Sequence, residues 1–197
     1  MKRIQFSGII ETASLLTLAG LLGCSGGNSP NPEPPSMLIA TSLSYTDPAG
    51  TGYRFVRDAS LSTSDKLVLA LRGPEQGTGR GVSFGVSADT TKAAFVKINA
   101  TDVELAQNAS FNLGVTEPKL FKCVTNGDTL KVSIAQKGTT APAQPLSGTL
   151  ARVALQLQPN VIKNTNIALS VTADARILPS SGNSQPMTIA VGTLVAR

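Results

Sequence analysis

Gly81-Val82-Ser83-Phe84-Gly85-Val86-Ser87-Ala88-Asp89 sets Val82, Phe84 and Val86 in strict alternation with Ser83, Gly85 and Ser87. Successive side chains of a strand point to opposite faces, so this spacing makes one face apolar and the other polar. The same pattern recurs on both sides of it. Leu67, Leu69 and Leu71 share a face, flanked by Lys66 and Arg72, and Leu130, Val132 and Ile134 alternate with Lys131 and Ser133. Ala151, Val153, Leu155 and Leu157 oppose Arg152, Gln156 and Gln158, while Ile167, Leu169 and Val171 oppose Asn166, Ser170 and Thr172. One apolar and one polar face per run is what half-buried antiparallel strands need. Turn signals separate the runs at Asp47-Pro48-Ala49-Gly50, Arg72-Gly73-Pro74, Asn126-Gly127-Asp128 and Ser181-Gly182-Asn183. The pattern predicts an all-β, antiparallel β-sandwich. Thr101-Asp102-Val103-Glu104 has the spacing of a capping box and predicts one brief helix near Leu105. No internal repeat is present, which argues against a solenoid or propeller.

Composition agrees with an exported β-protein. Aromatic residues make up 4% and charged residues 15%, with no Trp, so Val, Leu, Ile and Ala carry the core. The net charge of +5 is spread over isolated Lys and Arg, without the basic face and interleaved aromatics of a nucleic-acid binder. No nucleic-acid partner is expected.

The chain has no histidine, which removes Ser-His-Asp and Cys-His nucleophile systems, imidazole metal sites and histidine-ligated haem. Gly77-Thr78-Gly79-Arg80-Gly81 lacks the Gly-Lys-Ser/Thr of a P-loop and reads as the shaping of a hairpin. Asp47, Asp89, Asp128 and Asp174 read as turn formers or solvated strand ends, without the spacing of a calcium loop. No cofactor is expected, and an enzyme, a carboxylate-dependent glycan hydrolase, ranks a distant third among the functions. Cys123 shares a strand face with Phe121 and reads as a small buried hydrophobe. Tyr45 and Tyr53 flank a loop with Asp47 and Arg54. These four form the candidate recognition surface, against the alternative that both tyrosines cap the sandwich edge with satisfied hydroxyls.

The N-terminus carries its own address. Lys2 and Arg3 precede an apolar stretch from Leu15 to Leu22, a small Gly23 and then Cys24. These are the marks of a secretory signal, too short to span a bilayer. Leu21-Leu22-Gly23-Cys24 resembles the lipobox of bacterial lipoproteins, although Leu22 stands where that family usually has a small residue. The resemblance implies cleavage after residue 23, a diacylglycerol thioether on Cys24 and acylation of the new amine, giving a palmitate-type membrane anchor. Ser25, in place of a retaining aspartate, implies export towards the outer membrane of the cell envelope. Ser25 to Ser36 holds four prolines, two glycines and no large apolar residue, and reads as a tether spanning roughly 30–40 Å. The domain expected from these divisions covers residues 37–197, after a signal peptide at 1–23 and a lipidated tether at 24–36.

The order of segments from about residue 65 onward resembles cohesin-type and related carbohydrate-binding-like sandwiches, including jelly rolls. The resemblance rests on Gly81 to Asp89, the following Ala93-Ala94-Phe95-Val96-Lys97-Ile98, the Gly-Thr-Leu-Ala entry to a long strand from Gly148 to Gln158, and the final segment from Met187 to Val195. Cohesins commonly have an aromatic before the aspartate, where this chain has Ala88 before Asp89. The resemblance implies a non-catalytic binding or scaffold module. A protein partner in the envelope ranks first and glycan binding at the cell surface is the alternative.

Overall fold

The alternating runs become strands. The computed structural model describes residues 37–107, 119–136 and 142–197, and the leader, Cys24 and the Pro-rich tether lie outside the described residues. In chain order the strands are β1 (Leu43–Thr46), β2 (Arg54–Arg57), β3 (Lys66–Arg72), β4 (Thr78–Ala88), β5 (Ala93–Val96), β6 (Ala106–Gln107), β7 (Lys119–Asn126) and β8 (Thr129–Gln136). They continue with β9 (Gln144–Pro145), β10 (Thr149–Leu157), β11 (Asn166–Ile167), β12 (Leu169–Val171), β13 (Arg176–Pro179), β14 (Gln185–Pro186) and β15 (Thr193–Ala196). No helix occurs among the described residues.

Two large antiparallel sheets stack. One has the order β2-β3-β10-β5, with β6 also on β10. The other has the order β14-β13-β4-β8-β7, with β9 and β12 also on β4. Their facing rows are the apolar positions read from the sequence. Phe55, Leu71 and Ala151 align across the first sheet, as do Leu67, Leu155 and Phe95. Val82, Ile134 and Phe121 align across the second, as do Phe84, Val132 and Cys123. All pack into one hydrophobic cluster, and Phe55 meets Phe84 edge-to-face with ring centroids 5.6 Å apart. Full burial of each large side chain contributes about 1.5–3 kcal/mol, so these rows supply most of the driving force for stacking. A smaller sheet, β1-β15-β11, completes the fold. Its Leu43, Leu194 and Ile167 join the same core.

Four local expectations change in three dimensions. Leu67, Leu69 and Leu71 do face the core, but Val68 and Ala70 on the other side of β3 are buried as well. Val68, Ala154 and Ile98 form a second small cluster with Leu61 and Val96 packed against it, so the back of the five-stranded sheet is covered by the chain itself. Alternation could not show this, because the covering residues come from loops.

The helix expected near Leu105 does not form. Asp102 Oδ2 accepts from the Asn99 amide at 2.8 Å and from Gln107 Nε2 at 2.7 Å, closing a turn that leads directly into β6. An Asx side chain that bonds nearby backbone in this way competes with helix nucleation.

The glycine-rich run is not itself the hairpin. Gly77, with φ of 108°, makes the turn. Gly79 and Gly81 lie inside β4, where a Cβ on Gly81 would come within 2.7 Å of both Ala135 Cβ and Ile134 O.

Finally, Ile167, Leu169 and Val171 do not belong to one strand. Ile167 pairs with β15, while Leu169 and Val171 pair with β4, so the chain changes sheets between them. The last segment likewise splits. Ala190 bridges Arg54 in parallel, and regular pairing resumes at Thr193.

Candidate functional site

The two sheets differ in what their outer faces offer. Behind the five-stranded sheet, Arg152 Nε lies 2.7 Å from Asp58 Oδ2, with those side chains only 24% and 11% exposed. Ser62 Oγ accepts from the Val68 amide at 2.9 Å, and Lys66 Nζ donates to the Ile98 carbonyl at 2.9 Å. Burial raises the Asp58 carboxyl, but hydrogen bonds from Ser60 and Arg152 outweigh it and hold the group below the ordinary carboxylate range. That face is closed by the chain's own loops.

The outer face of the seven-stranded sheet is polar and built in rows. The register aligns Arg176, Ser83, Ser133 and Lys122 across β13, β4, β8 and β7. A second row runs through Ser170, Ser87, Thr129 and Asn126. Between them lie Gly85, Lys131 and Val124. Ser83 Oγ and Ser133 Oγ are 2.9 Å apart, and Ser87 Oγ and Thr129 Oγ1 are 2.6 Å apart. Cross-strand hydroxyl pairs of this kind stabilise the sheet and fix short side chains at little entropic cost. Lys122, Val124, Lys131, Ser170 and Arg176 are exposed, and the four bonded hydroxyl residues are half-exposed. Lys131 reaches Asp174 at 3.5 Å, while the Thr172 side chain lies over Gly85, where a Cβ would meet Thr172 Oγ1 at 2.5 Å. The result is a surface of hydroxyls edged by Lys122 and Arg176, with the Thr172 side chain covering buried Gly85 between the rows. Sequence reading missed it as a site, although its residues are the polar positions of the alternation that decided the fold.

The four residues singled out from sequence divide by burial. Tyr45 is 8% exposed and belongs to the core. Its hydroxyl donates to the Phe55 carbonyl at 3.1 Å and accepts from the Gly192 amide at 2.7 Å. Burial pushes the phenol pKa up, the Gly192 amide opposes this, and nearby Asp47 adds to the rise. Asp47 is exposed and accepts from the Arg57 amide at 2.8 Å, which makes it a turn residue. Tyr53 is half-buried against the core and its phenol is likewise raised by burial. Arg54 donates through Nη1 to the Gly52 carbonyl at 3.1 Å. Asp47, Tyr53 and Arg54 are the residues of the set that offer polar groups at this rim.

The other carboxylates are engaged locally. Asp89 accepts from Thr91 Oγ1 at 2.5 Å and pairs with Lys92 at 2.6 Å. Asp128 accepts from the Thr90 hydroxyl, and Asp174 from the Thr172 hydroxyl. Among the described residues no three His, Cys, Asp or Glu side chains converge into a metal-binding group. Cys123 is half-buried beside the core, and burial raises its thiol pKa to about 11. At neutral pH it is a protonated, weakly reactive packing group.

No protein-family model matches this sequence, and no curated protein matches it. Solved structures do match its fold. A type II cohesin from Bacteroides cellulosolvens superposes with a TM-score of 0.57 at 13% identity, covering 74% of this chain and 98% of that one. The sixth cohesin of scaffoldin B from Acetivibrio cellulolyticus, solved in complex with a dockerin, gives 0.54 at 15% identity over 73% of this chain and 97% of that one. A type II cohesin from a cohesin–X-dockerin complex of the same organism gives 0.54 at 11% identity over 72% and 95%. The fold is therefore that of a cohesin-like β-sandwich.

Proposed function

We propose that this chain is a lipid-anchored protein of the bacterial cell envelope whose sandwich is a non-catalytic protein-binding module. The observation that carries the binding role is the asymmetry of the two sheets. One outer face is sealed by loops, an ion pair and a small apolar cluster, while the other presents ordered rows of half-exposed hydroxyls between exposed Lys122, Lys131, Val124 and Arg176. A preorganised surface with donors and acceptors already fixed suits docking of a folded partner, since little side-chain freedom is lost on binding. Two of the structural neighbours were solved with dockerins, which supports a protein as the partner class. The rim of Asp47, Tyr53 and Arg54 is the second contact region. The glycan alternative asks for aromatic faces open to sugar rings, and Tyr45 is buried while Tyr53 is half-buried.

The anchor rests on Leu21-Leu22-Gly23-Cys24 and the tether that follows. Palmitate labelling should mark the wild type and vanish in Cys24→Ser, and labelling that persists in the variant overturns the anchor. For the binding role, Lys122→Glu with Arg176→Glu reverses the two exposed charges that edge one cross-strand row and leaves the Ser83–Ser133 bond in place. This variant should melt near the wild type yet lose cross-linking to the envelope protein that the wild type captures. A folded variant that keeps that cross-link places recognition away from this face.

A further inference from the structure

Six large hydrophobic residues are exposed among the described residues, and three of them gather on one face. Met37 is 73% exposed, Ile39 48% and Ile162 44%. Their arrangement is ordered. Ile39 and Ile162 form an antiparallel bridge, which puts their side chains on one face, and Met37 shares that face two residues earlier. The Ala40 amide donates to the Val161 carbonyl at 2.8 Å, and the Lys163 amide to the Leu38 carbonyl at 2.8 Å. Ala40 and Val161 are buried beneath, at 6% and 7% exposure, so the exposed residues stand on the core. Of the other three, Leu38 points away from that face, and Val103 and Val124 lie on the turn before β6 and on β7. Single exposed apolar residues are ordinary, but a contiguous patch marks an interaction surface.

The position of the patch identifies its occupant. Met37 is the residue at which the tether from Cys24 enters the domain. The tether reaches roughly 30–40 Å at most, so lipid on Cys24 confines this end of the domain to that distance from the bilayer. Tethering of that kind gives an effective concentration on the order of millimolar, enough to populate a contact that is weak by itself. The charges fit as well. Lys163 and Arg197 are exposed at the edge of the patch, with Arg197 Nη1 2.5 Å from Asn164 Oδ1. Neither Met37–Ser42 nor Val161–Thr165 contains a carboxylate. Apolar residues that enter the headgroup region with flanking cations bind anionic bilayers.

We propose that Met37, Ile39 and Ile162 dock the domain onto the anionic lipid surface that holds its anchor, fixing the sandwich's orientation instead of leaving it to swing. This rests on lipidation at Cys24. Docking would make the tether a short stitch and leave the hydroxyl rows of the seven-stranded sheet free for a partner.

The test uses the full chain, recovered from membranes and reconstituted in phosphatidylethanolamine/phosphatidylglycerol vesicles. In a Cys123→Ala background, spin labels are placed at Ile162→Cys and, separately, at Val124→Cys. The protein should float with the vesicles. The label at 162 should be at least fivefold less accessible to a water-soluble nickel chelate than the label at 124, and more accessible to oxygen. Met37→Asp should remove that protection without changing flotation or the melting curve. Failure to float overturns the anchor and the docking together. Flotation with equal nickel access at both positions overturns docking alone. Protection at 162 that persists in phosphatidylcholine detergent micelles with dipolar broadening between labels assigns the patch to a second copy and also refutes the proposal.

Discussion

Replacing Tyr45 with Phe removes one oxygen and nothing else, which makes it a clean measure of what that hydroxyl does. It ties three separate segments. Tyr45 belongs to β1, Phe55 to β2, and Gly192 to the chain just before β15. In Tyr45→Phe the Phe55 carbonyl and the Gly192 amide both lose their partner. An unsatisfied buried polar group costs about 1–3 kcal/mol. The Phe55 site is fully enclosed, whereas Gly192 is half-buried and regains part of its loss from water. The two together should cost about 2–4 kcal/mol. For a domain of this size each kcal/mol lowers Tm by roughly 2–4 °C, so thermal melts by circular dichroism should shift down by about 5–15 °C. The phenol ring should stay in place, because Gly192 leaves it room: a Cβ there would lie 2.9 Å from Tyr45 Cζ and 1.8 Å from the Thr46 carbonyl oxygen. Gly192→Ala should therefore be at least as damaging. A Tyr45→Phe protein that melts within a degree of wild type would refute the claim that this hydroxyl holds the three segments together. It would return Tyr45 to the list of recognition residues.

Three further outcomes follow from the same structure. Tyr53→Ala with Arg54→Ala should leave the fold nearly intact and weaken retention of the envelope partner severalfold. If it unfolds the domain, as judged by circular dichroism, the rim is structural. Asp58→Asn should cost about 1–3 kcal/mol by weakening the charge-assisted bond to Arg152. Because the Asp58 pKa is depressed in the fold, its contribution is present above the ordinary carboxylate value and is lost as pH falls through the depressed one. Urea titrations below about pH 4 should therefore show wild type and variant converging. Cys123 should react with a maleimide far more slowly than the denatured chain at neutral pH. Its raised pKa means that the unfolded state releases the proton first, so stability should decline between the ordinary thiol value of 9.0 and about 11. Rapid native labelling would show the thiol to be open.

Much of the fold was legible because side-chain alternation is a local property. Val82, Phe84 and Val86 had to share a face whatever they met, and a chain with many such runs and few rings or charges has to stack sheets to bury them. The likeness to cohesin-type sandwiches was readable from the same runs and the turns between them. Local pattern could not say which loops fold back. The covering of Val68 and Ala154 depends on Leu61, in the loop before β3, and on Ile98, which is far from both β3 and β10 in sequence. The same limit hid the change of sheet between Ile167 and Leu169, since both residues keep the period while their partners differ.

The site followed a similar division. Tyr45 and Tyr53 look alike in sequence, each a ring with a polar tip beside a turn. Only tertiary packing could bury the first and leave the second half-exposed, because burial depends on what β15 and Gly192 bring against the ring. Ser83 and Ser133 are 50 positions apart, and their alignment with Arg176 and Lys122 exists only in the register of four strands. The sequence by itself determined the strand faces, the class of fold and the exclusion of histidine chemistry, all of which rest on residue type and spacing. The structure alone decided which face is sealed, which face stays open and where exposed Met37 and Ile39 meet Ile162, because those depend on non-local pairing.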